Sequence, residues 1–153
     1  MKSGETGWTT SGTRTELIDL EDTVSAFVLN KIVVTNVQDT VKHFTAALKD
    51  EGFGVLYTLD FSEIIASKTG HPLKGRVVGL GVCMPELARQ ALELDPTVAA
   101  LLPCGAFVAE TPEGTSVGFL DPHTALSLTG VPRLGSLGAE ALERLKYALA
   151  KLE

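Results

Sequence analysis

Residues 76–110, RVVGLGVCMPELARQALELDPTVAALLPCGAFVAE, contain the longest apolar runs of the chain and both of its cysteines. Arg76–Val82 is apolar at nearly every position, which is typical of a strand covered on both faces. A proline suits the first turn of a helix, so we predict a helix over Pro85–Leu94. Cys104–Glu110 then returns as a strand. The stretch therefore predicts a strand, a helix and a strand, with one cysteine at each end of the helical crossover.

The rest of the chain predicts helices and strands around this stretch. A β-branched strand, Phe27–Thr35, precedes a helix that Asn36 caps and Gly52 ends. Thr111–Gly114 has the composition of a turn, so the strands on either side form an antiparallel hairpin. We therefore predict an α+β fold with a five-stranded, mostly antiparallel or mixed sheet covered by helices. The remaining predicted elements are strands Val55–Leu59 and Thr115–Leu120, helices Phe61–Lys68, His123–Thr129 and about Ser136–Leu152, and a short turn over Thr97–Leu102. The last helix is expected to turn Leu142, Leu145, Leu149 and Leu152 inward.

The N-terminal 26 residues differ in composition from the rest. They are rich in Gly, Ser, Thr and acidic residues, a composition that buries too little to offset its ordering entropy. We predict a mobile polar tail over residues 1–26 and a single α+β domain over residues 27–153. Trp8 in this tail could dock on the domain or on a second subunit, because Trp is enriched at interfaces.

Charge excludes several classes of function. The net charge is −6, and no run of Lys and Arg makes a basic patch, so neither nucleic acid nor an anionic membrane surface is an expected partner. No apolar run approaches the ~20 residues that span a bilayer, and the N-terminus lacks the apolar core of a signal peptide. We therefore expect a cytoplasmic protein with free thiols.

The two cysteines allow more than one chemistry. Cys83 precedes a helix N-terminus, where the helix dipole can favour the thiolate. It can equally be a small buried hydrophobic residue that closes a core strand. Cys104 opens the next strand, and the two could form a reversible disulfide if their Cα atoms lie within about 7 Å. The sequence leaves these alternatives open.

Metal and catalytic patterns are absent. His43, His71 and His123 do not match the short spacings of zinc ligands, so no metal or other cofactor is predicted. No serine lies in a nucleophile elbow, and no acid–base pair can be assigned, which favours a protein that is not an enzyme. The strand glycines indicate close packing of the backbone or a groove for an apolar ligand. These are Gly79, Gly81, Gly105 and Gly118.

Three segments carry a family resemblance. DEGFGVLYTLDFSE (50–63), VVGLGVCMPELARQALELDPTVAALLPCGAFV (77–108) and EGTSVGFLDPHTALSL (113–128) resemble, in order and spacing, the domain-of-unknown-function family 302. The resemblance covers Asn36 to Leu152. It implies a small β-α-β₄-α domain, similar to the TATA-binding-protein-like fold and often a homodimer, and it implies no established activity.

The chain departs from the family pattern at two positions. Where the pattern commonly has an Asn after each cysteine, this chain has Met84 and Gly105. Met cannot cap the following helix as Asn would. A role that depends on those amides for polar recognition is therefore lost here.

Two functions remain in view. The first is a non-enzymatic homodimer that binds a small apolar ligand or a protein partner near the Cys83–Pro85 step. The second is a thiol-based redox or metal-handling protein that uses Cys83 and Cys104. A domain that regulates another protein without a pocket is a third reading. The candidate ligand-binding residues are Cys83, Met84, Pro85, Cys104 and Gly105.

Overall fold

The computed structural model describes residues 27–153, so the predicted tail with Trp8 lies outside the described residues. Within this range the chain forms five strands, five α-helices and one 3-10 helix. In chain order they are β1 (Val28–Val33), α1 (Val37–Asp50), β2 (Gly54–Asp60), α2 (Phe61–Thr69), β3 (Val77–Cys83), α3 (Pro85–Leu94), the 3-10 helix Pro96–Leu101, β4 (Cys104–Thr111), β5 (Gly114–Leu120), α4 (Pro122–Ser127) and α5 (Pro132–Ala150).

The strands form one sheet in the order β1-β5-β4-β3-β2. Every neighbouring pair is antiparallel, so the predicted α+β class is confirmed and the sheet is not mixed. One strand, one helix, four strands and a final helix follow each other as the resemblance implied, with α2, α3, α4 and the 3-10 helix inserted. In residues 27–153, no helix combines the length and the apolar composition that crossing a bilayer requires.

Short polar side chains start the helices where the sequence predicts them. The Asn36 side chain accepts a hydrogen bond from the backbone N–H of Asp39 at 2.8 Å. Asp60 accepts one from Glu63 at 3.2 Å, and Asp121 caps α4 in the same way. Each carboxylate or amide satisfies a donor that the first helical turn leaves free. These N-caps set where the chain leaves a strand and begins a helix.

The last helix differs from its prediction. It begins at Pro132 rather than near Ser136, because a proline is well placed in a first turn. Of the four leucines predicted to face inward, Leu145 and Leu152 are buried, and Leu142 and Leu149 are partly buried and pack against the core. The residues that face the core are Leu134, Leu137, Ala141, Leu145 and Ala148. The buried side of the helix also includes Gly135 and Gly138. The helix approaches α4 closely there, since a Cβ at Gly138 would lie 2.5 Å from the Pro122 carbonyl oxygen.

The core lies between one face of the sheet and helices α1, α3 and α5. Val78, Leu80 and Val82 alternate along β3 and are at most 2% exposed. Phe44 of α1 and Leu145 of α5 are fully buried in the same cluster. Side chains of a strand alternate between its faces, so the intervening residues of β3 point to the other side of the sheet.

Among residues 27–153, that other side, which we call the open face, is covered by α2 and by side chains of the sheet itself. Gly79 is the register partner of Phe107, and Gly81 is the partner of Gly105. A Cβ on Gly79 would meet the ring of Phe61, the first residue of α2, and a Cβ on Gly81 would meet the ring of Tyr57. By the register, the strand residues of the open face include Ile32, Tyr57, Leu59, Gly79, Gly81, Gly105, Phe107, Ala109, Ser116, Gly118 and Leu120.

The strand glycines thus have different roles. At Gly79 and Gly81 the space is filled by aromatic rings of the same chain, so close packing explains them. At Gly105 a Cβ would meet nothing within 4 Å. This pattern also explains why β3 is apolar throughout, since rings cover its second face.

A pair of alanine substitutions tests this packing. Gly81→Ala places a methyl group 2.8 Å from Cγ of Pro103 and against the Tyr57 ring. We expect a loss of about 1–3 kcal/mol in the free energy of unfolding, the usual cost of overpacking. Gly105→Ala, at the cross-strand partner position, is the control and should change stability by less than about 0.5 kcal/mol. Chemical denaturation measures both, and equal losses would contradict the difference in packing between Gly81 and Gly105.

Candidate functional site

An apolar cavity lies where β3 ends and α3 begins. Its volume is about 30 Å³, enough for one or two water-sized groups. Cys83, Met84 and Cys104 border it, so three of the five predicted site residues come together here. The apolar wall is completed by residues from four other parts of the chain, which are Phe53, Leu87, Leu126 and Leu137.

The β3–β4 register positions the thiols. Val82 pairs with Cys104, so the Cys104 side chain shares the core face with Val82. Cys83 follows Val82 as the last residue of β3. In a regular strand, alternation directs successive side chains to opposite faces, and both cysteines are free thiols. Strict alternation would therefore separate the two thiols, but β3 ends at Cys83, and both side chains border the same cavity without forming a disulfide.

Met84 and Pro85 form the step from strand to helix. Met84 occupies the N-cap position of α3 and makes no side-chain cap hydrogen bond, as its chemistry requires. Its methyl group would lie 3.6 Å from a Cβ at Gly52, the turn after α1. The unbranched thioether therefore fills the mouth of the cavity, where it can change rotamer more readily than a branched side chain.

Two predicted site residues do not join the cavity wall. Pro85 is exposed at the start of α3. Gly105 is exposed as well, and it points to the open face because its partner Gly81 does. Gly105 therefore lies on the side of the sheet opposite to the cavity, and Pro85 lies outside the cavity wall.

Burial controls the ionisation of both thiols. It raises the pKa of the Cys104 thiol from its ordinary value of 9.0 to about 11, and Cys83 adds to this effect. Burial also raises the pKa of Cys83. Because desolvation raises the pKa of Cys83, its reading as an apolar residue that closes the strand is favoured over its reading as a thiolate. Both thiols are protonated near neutral pH.

The histidines lie apart from this cavity. His43 is on α1, His71 is in the loop before β3, and His123 is in α4. In residues 27–153, no group of three or more His, Cys, Asp or Glu side chains is arranged to hold a metal ion.

Most of the cavity wall was not predictable as a site. Phe53 follows the helix-ending Gly52, while Leu126 and Leu137 belong to α4 and α5. Their apolar character marks them as core, and only the sheet register shows that they meet Cys83 and Cys104.

Fold and cavity together define an α+β domain with a single antiparallel sheet and a small apolar site at a strand–helix step. The chain belongs to the family described as "Domain of unknown function DUF302", whose model matches residues 29–152. The resemblance stated from the three sequence segments is thereby confirmed.

A solved structure supports the same assignment. The chain is similar to the crystal structure of an uncharacterized conserved DUF302 protein from Bacillus stearothermophilus, with 28% sequence identity and a TM-score of 0.78. The similarity covers 83% of this chain and 98% of that one. A comparison with curated proteins gives no match.

Thiol alkylation against pH tests the burial of the cysteines. In Cys83→Ser, only Cys104 remains, and its reaction with iodoacetamide should rise with a midpoint well above 9.0, because desolvation is the larger cause of its raised pKa. Cys104→Ser reports Cys83 in the same way, and its midpoint should also lie above 9.0. The urea-unfolded chain is the control. Midpoints below that control would overturn the assignment of neutral thiols.

Proposed function

We propose that this protein is a non-enzymatic domain that binds a small apolar ligand and acts as a homodimer. The observation that carries the ligand proposal is the cavity beside the Cys83–Pro85 step, which is bordered by thiols and a thioether rather than by charged groups. An apolar pocket with few polar groups is the usual form of a small-molecule site.

The cavity dimensions restrict the ligand. A volume of about 30 Å³ accepts a gas atom or a group of a few heavy atoms, so a larger ligand needs Met84 to move. Protonated Cys83 and Cys104 offer only weak hydrogen bonds. The ligand class is therefore a small apolar molecule, or the apolar end of a larger one whose polar part stays outside at Met84.

Filling the cavity tests the proposal. Ala88 lines the cavity from α3 and is partly buried, so Ala88→Leu should occupy the space. Xenon is the probe, measured by its effect on the methyl NMR signals of Val82 and Leu87. We expect Ala88→Leu to weaken xenon binding at least about tenfold, since the ligand must compete with a packed side chain.

The matched control is Ala100→Leu, which adds the same atoms at an exposed position of the 3-10 helix. It should bind xenon like the unmodified protein. Absence of any xenon effect on Val82 and Leu87 in the unmodified protein would contradict the ligand proposal, and so would equal binding in both variants.

The second candidate is a thiol-based redox or metal-handling protein. The observation in its favour is that Cys83, Met84 and Cys104 border one cavity, and soft thiolate and thioether ligands suit soft cations. The raised pKa values of both thiols weigh against an activated thiolate. The alkylation profiles decide between the candidates, because a midpoint below that of the unfolded chain would favour thiol chemistry.

A further inference from the structure

We propose that residues 17–26, which directly precede β1, dock on the open face of the sheet of their own chain. These residues lie outside the described range, and they join it at Phe27. Among residues 27–153 the open face is covered by α2 and by side chains of the sheet. The cavity lies on the helix-covered side, so the docking and the ligand proposal can fail independently.

The segment joins the sheet at one end of a row of open-face residues. The Phe27 carbonyl oxygen accepts a hydrogen bond from the backbone N–H of Asp121 at 2.8 Å, which holds the end of the segment beside β5. Val28 pairs with Leu120, and the β4–β5 register continues so that Leu120 lies beside Gly105. The segment therefore starts next to the row that crosses the sheet at Gly105.

This row has a gap near its centre. Gly105 pairs with Gly81, and Gly81 pairs with Tyr57 of the far edge strand β2. The Tyr57 ring fills the space over Gly81, but a Cβ at Gly105 would meet nothing within 4 Å. On the two sides of the gap, Leu120 is 36% exposed and Tyr57 is 43% exposed. Two large apolar groups thus border a narrow gap that suits a single chain segment better than a flat surface.

The other side of the sheet is already occupied at this end. Helix α4 begins directly after β5, and its residues Pro122, Ala125 and Leu126 are buried. Leu126 also belongs to the core cluster beneath the sheet. A segment that turns back from Phe27 over the sheet therefore meets the open face rather than the helix-covered face.

The length of the segment matches the width of the sheet. Neighbouring strands are about 4.8 Å apart, so Gly105 lies about 10 Å from β1 and Tyr57 about 19 Å from it. An extended chain advances about 3.3 Å per residue. Val24 is close enough to Phe27 in the sequence to reach Gly105, and Leu20 is far enough from it to reach Tyr57.

The composition of the segment differs from that of the residues before it. Residues 1–16 contain Met1 and Trp8 as their large apolar residues. The polarity of the whole tail explains why it does not fold alone, whereas the open face offers apolar cover to its last part. Four large apolar residues are available for this contact, namely Leu17, Ile18, Leu20 and Val24.

Charge on the open face admits this segment although the segment is acidic. Asp19, Glu21 and Asp22 lie among its apolar residues. None of the strand residues that the register assigns to the open face is charged, so this face does not repel the carboxylates as other surfaces of a chain with a net charge of −6 would. The carboxylates stay in water while Leu20 and Val24 face the sheet.

Cleavage of the full chain by a glutamyl endopeptidase tests the proposal. Glu21 lies inside the segment, and Glu5 lies outside it as an internal reference. We expect Leu120→Asp, which places a charge beside the gap, to speed cleavage after Glu21 at least about tenfold relative to Glu5, because proteolysis follows the population of the undocked segment. Leu128→Asp is the matched control, since Leu128 is 77% exposed after α4 and outside the open face. It should leave this ratio unchanged.

A second variant tests the same contact from the side of the segment. Val24→Ser removes the apolar group expected over Gly105 and leaves the domain unaltered, so cleavage after Glu16 should rise at least about threefold relative to Glu5. Circular dichroism verifies that the variants are folded, and Val24→Ser decides alone if Leu120→Asp is not. The protection should not depend on protein concentration, since the segment and the face belong to one chain.

Unchanged cleavage in either folded variant would overturn the docking. Protection that is lost on dilution would overturn it as well, because the occupant would then come from a second copy. The xenon experiment is unaffected in each case, since its probe lies on the opposite side of the sheet.

Discussion

The antiparallel pairing of β3 with β4 is the constraint on which the rest of the structure depends. Val82 opposite Cys104 and Gly81 opposite Gly105 fix which residues face the helices and which face the open side. A slip of one residue would exchange the two sets, placing Val78, Leu80 and Val82 against the Tyr57 and Phe61 rings and leaving glycines in the core. Packing on both faces therefore selects one register. On one face Val78, Leu80 and Val82 fill the core, and on the other there is no space for a side chain above Gly79 and Gly81.

This register gives the two faces of the sheet different chemistry. On the helix side, Cys104 enters the core beside Val82 and becomes a wall of a small apolar cavity. Desolvation there keeps its thiol protonated, with a pKa of about 11. On the open side, the same strands present uncharged residues and partly exposed apolar groups such as Ile32 and Leu120. One sheet thus separates the cavity from a face of different composition.

Local sequence signals predict most of the fold because they act locally. The five strands, the caps at Asn36, Asp60 and Asp121, and the antiparallel hairpin of β4 and β5 all follow from residues that are near each other in the chain. The family resemblance is carried by three continuous segments, so it too can be recognised from the sequence. The start of α5 is the exception. It was predicted near Ser136 rather than at Pro132, because Gly130 and Pro132 together have the composition of a connection.

The site is only partly predictable because its geometry depends on contacts between distant residues. Cys83, Met84 and Cys104 border one cavity, which the sequence leaves open, whereas Gly105 faces the opposite side. No local pattern shows that a Phe61 ring fills the space over Gly79 while Gly105 stays open. For the same reason the open face cannot be recognised from alternation alone, since β3 is apolar at every position.

The central claim is that the β3–β4 register puts Val82 and Cys104 on the helix-covered face of the sheet and Gly81 and Gly105 on the opposite face. NOE spectroscopy on the full chain tests it most directly. The account predicts NOEs from the Cys104 side chain to the methyl groups of Val82 and Leu87, and from the Tyr57 ring to Gly81. NOEs from the Cys104 side chain to the Tyr57 ring, or from Gly105 to the Leu87 methyl groups, would contradict it.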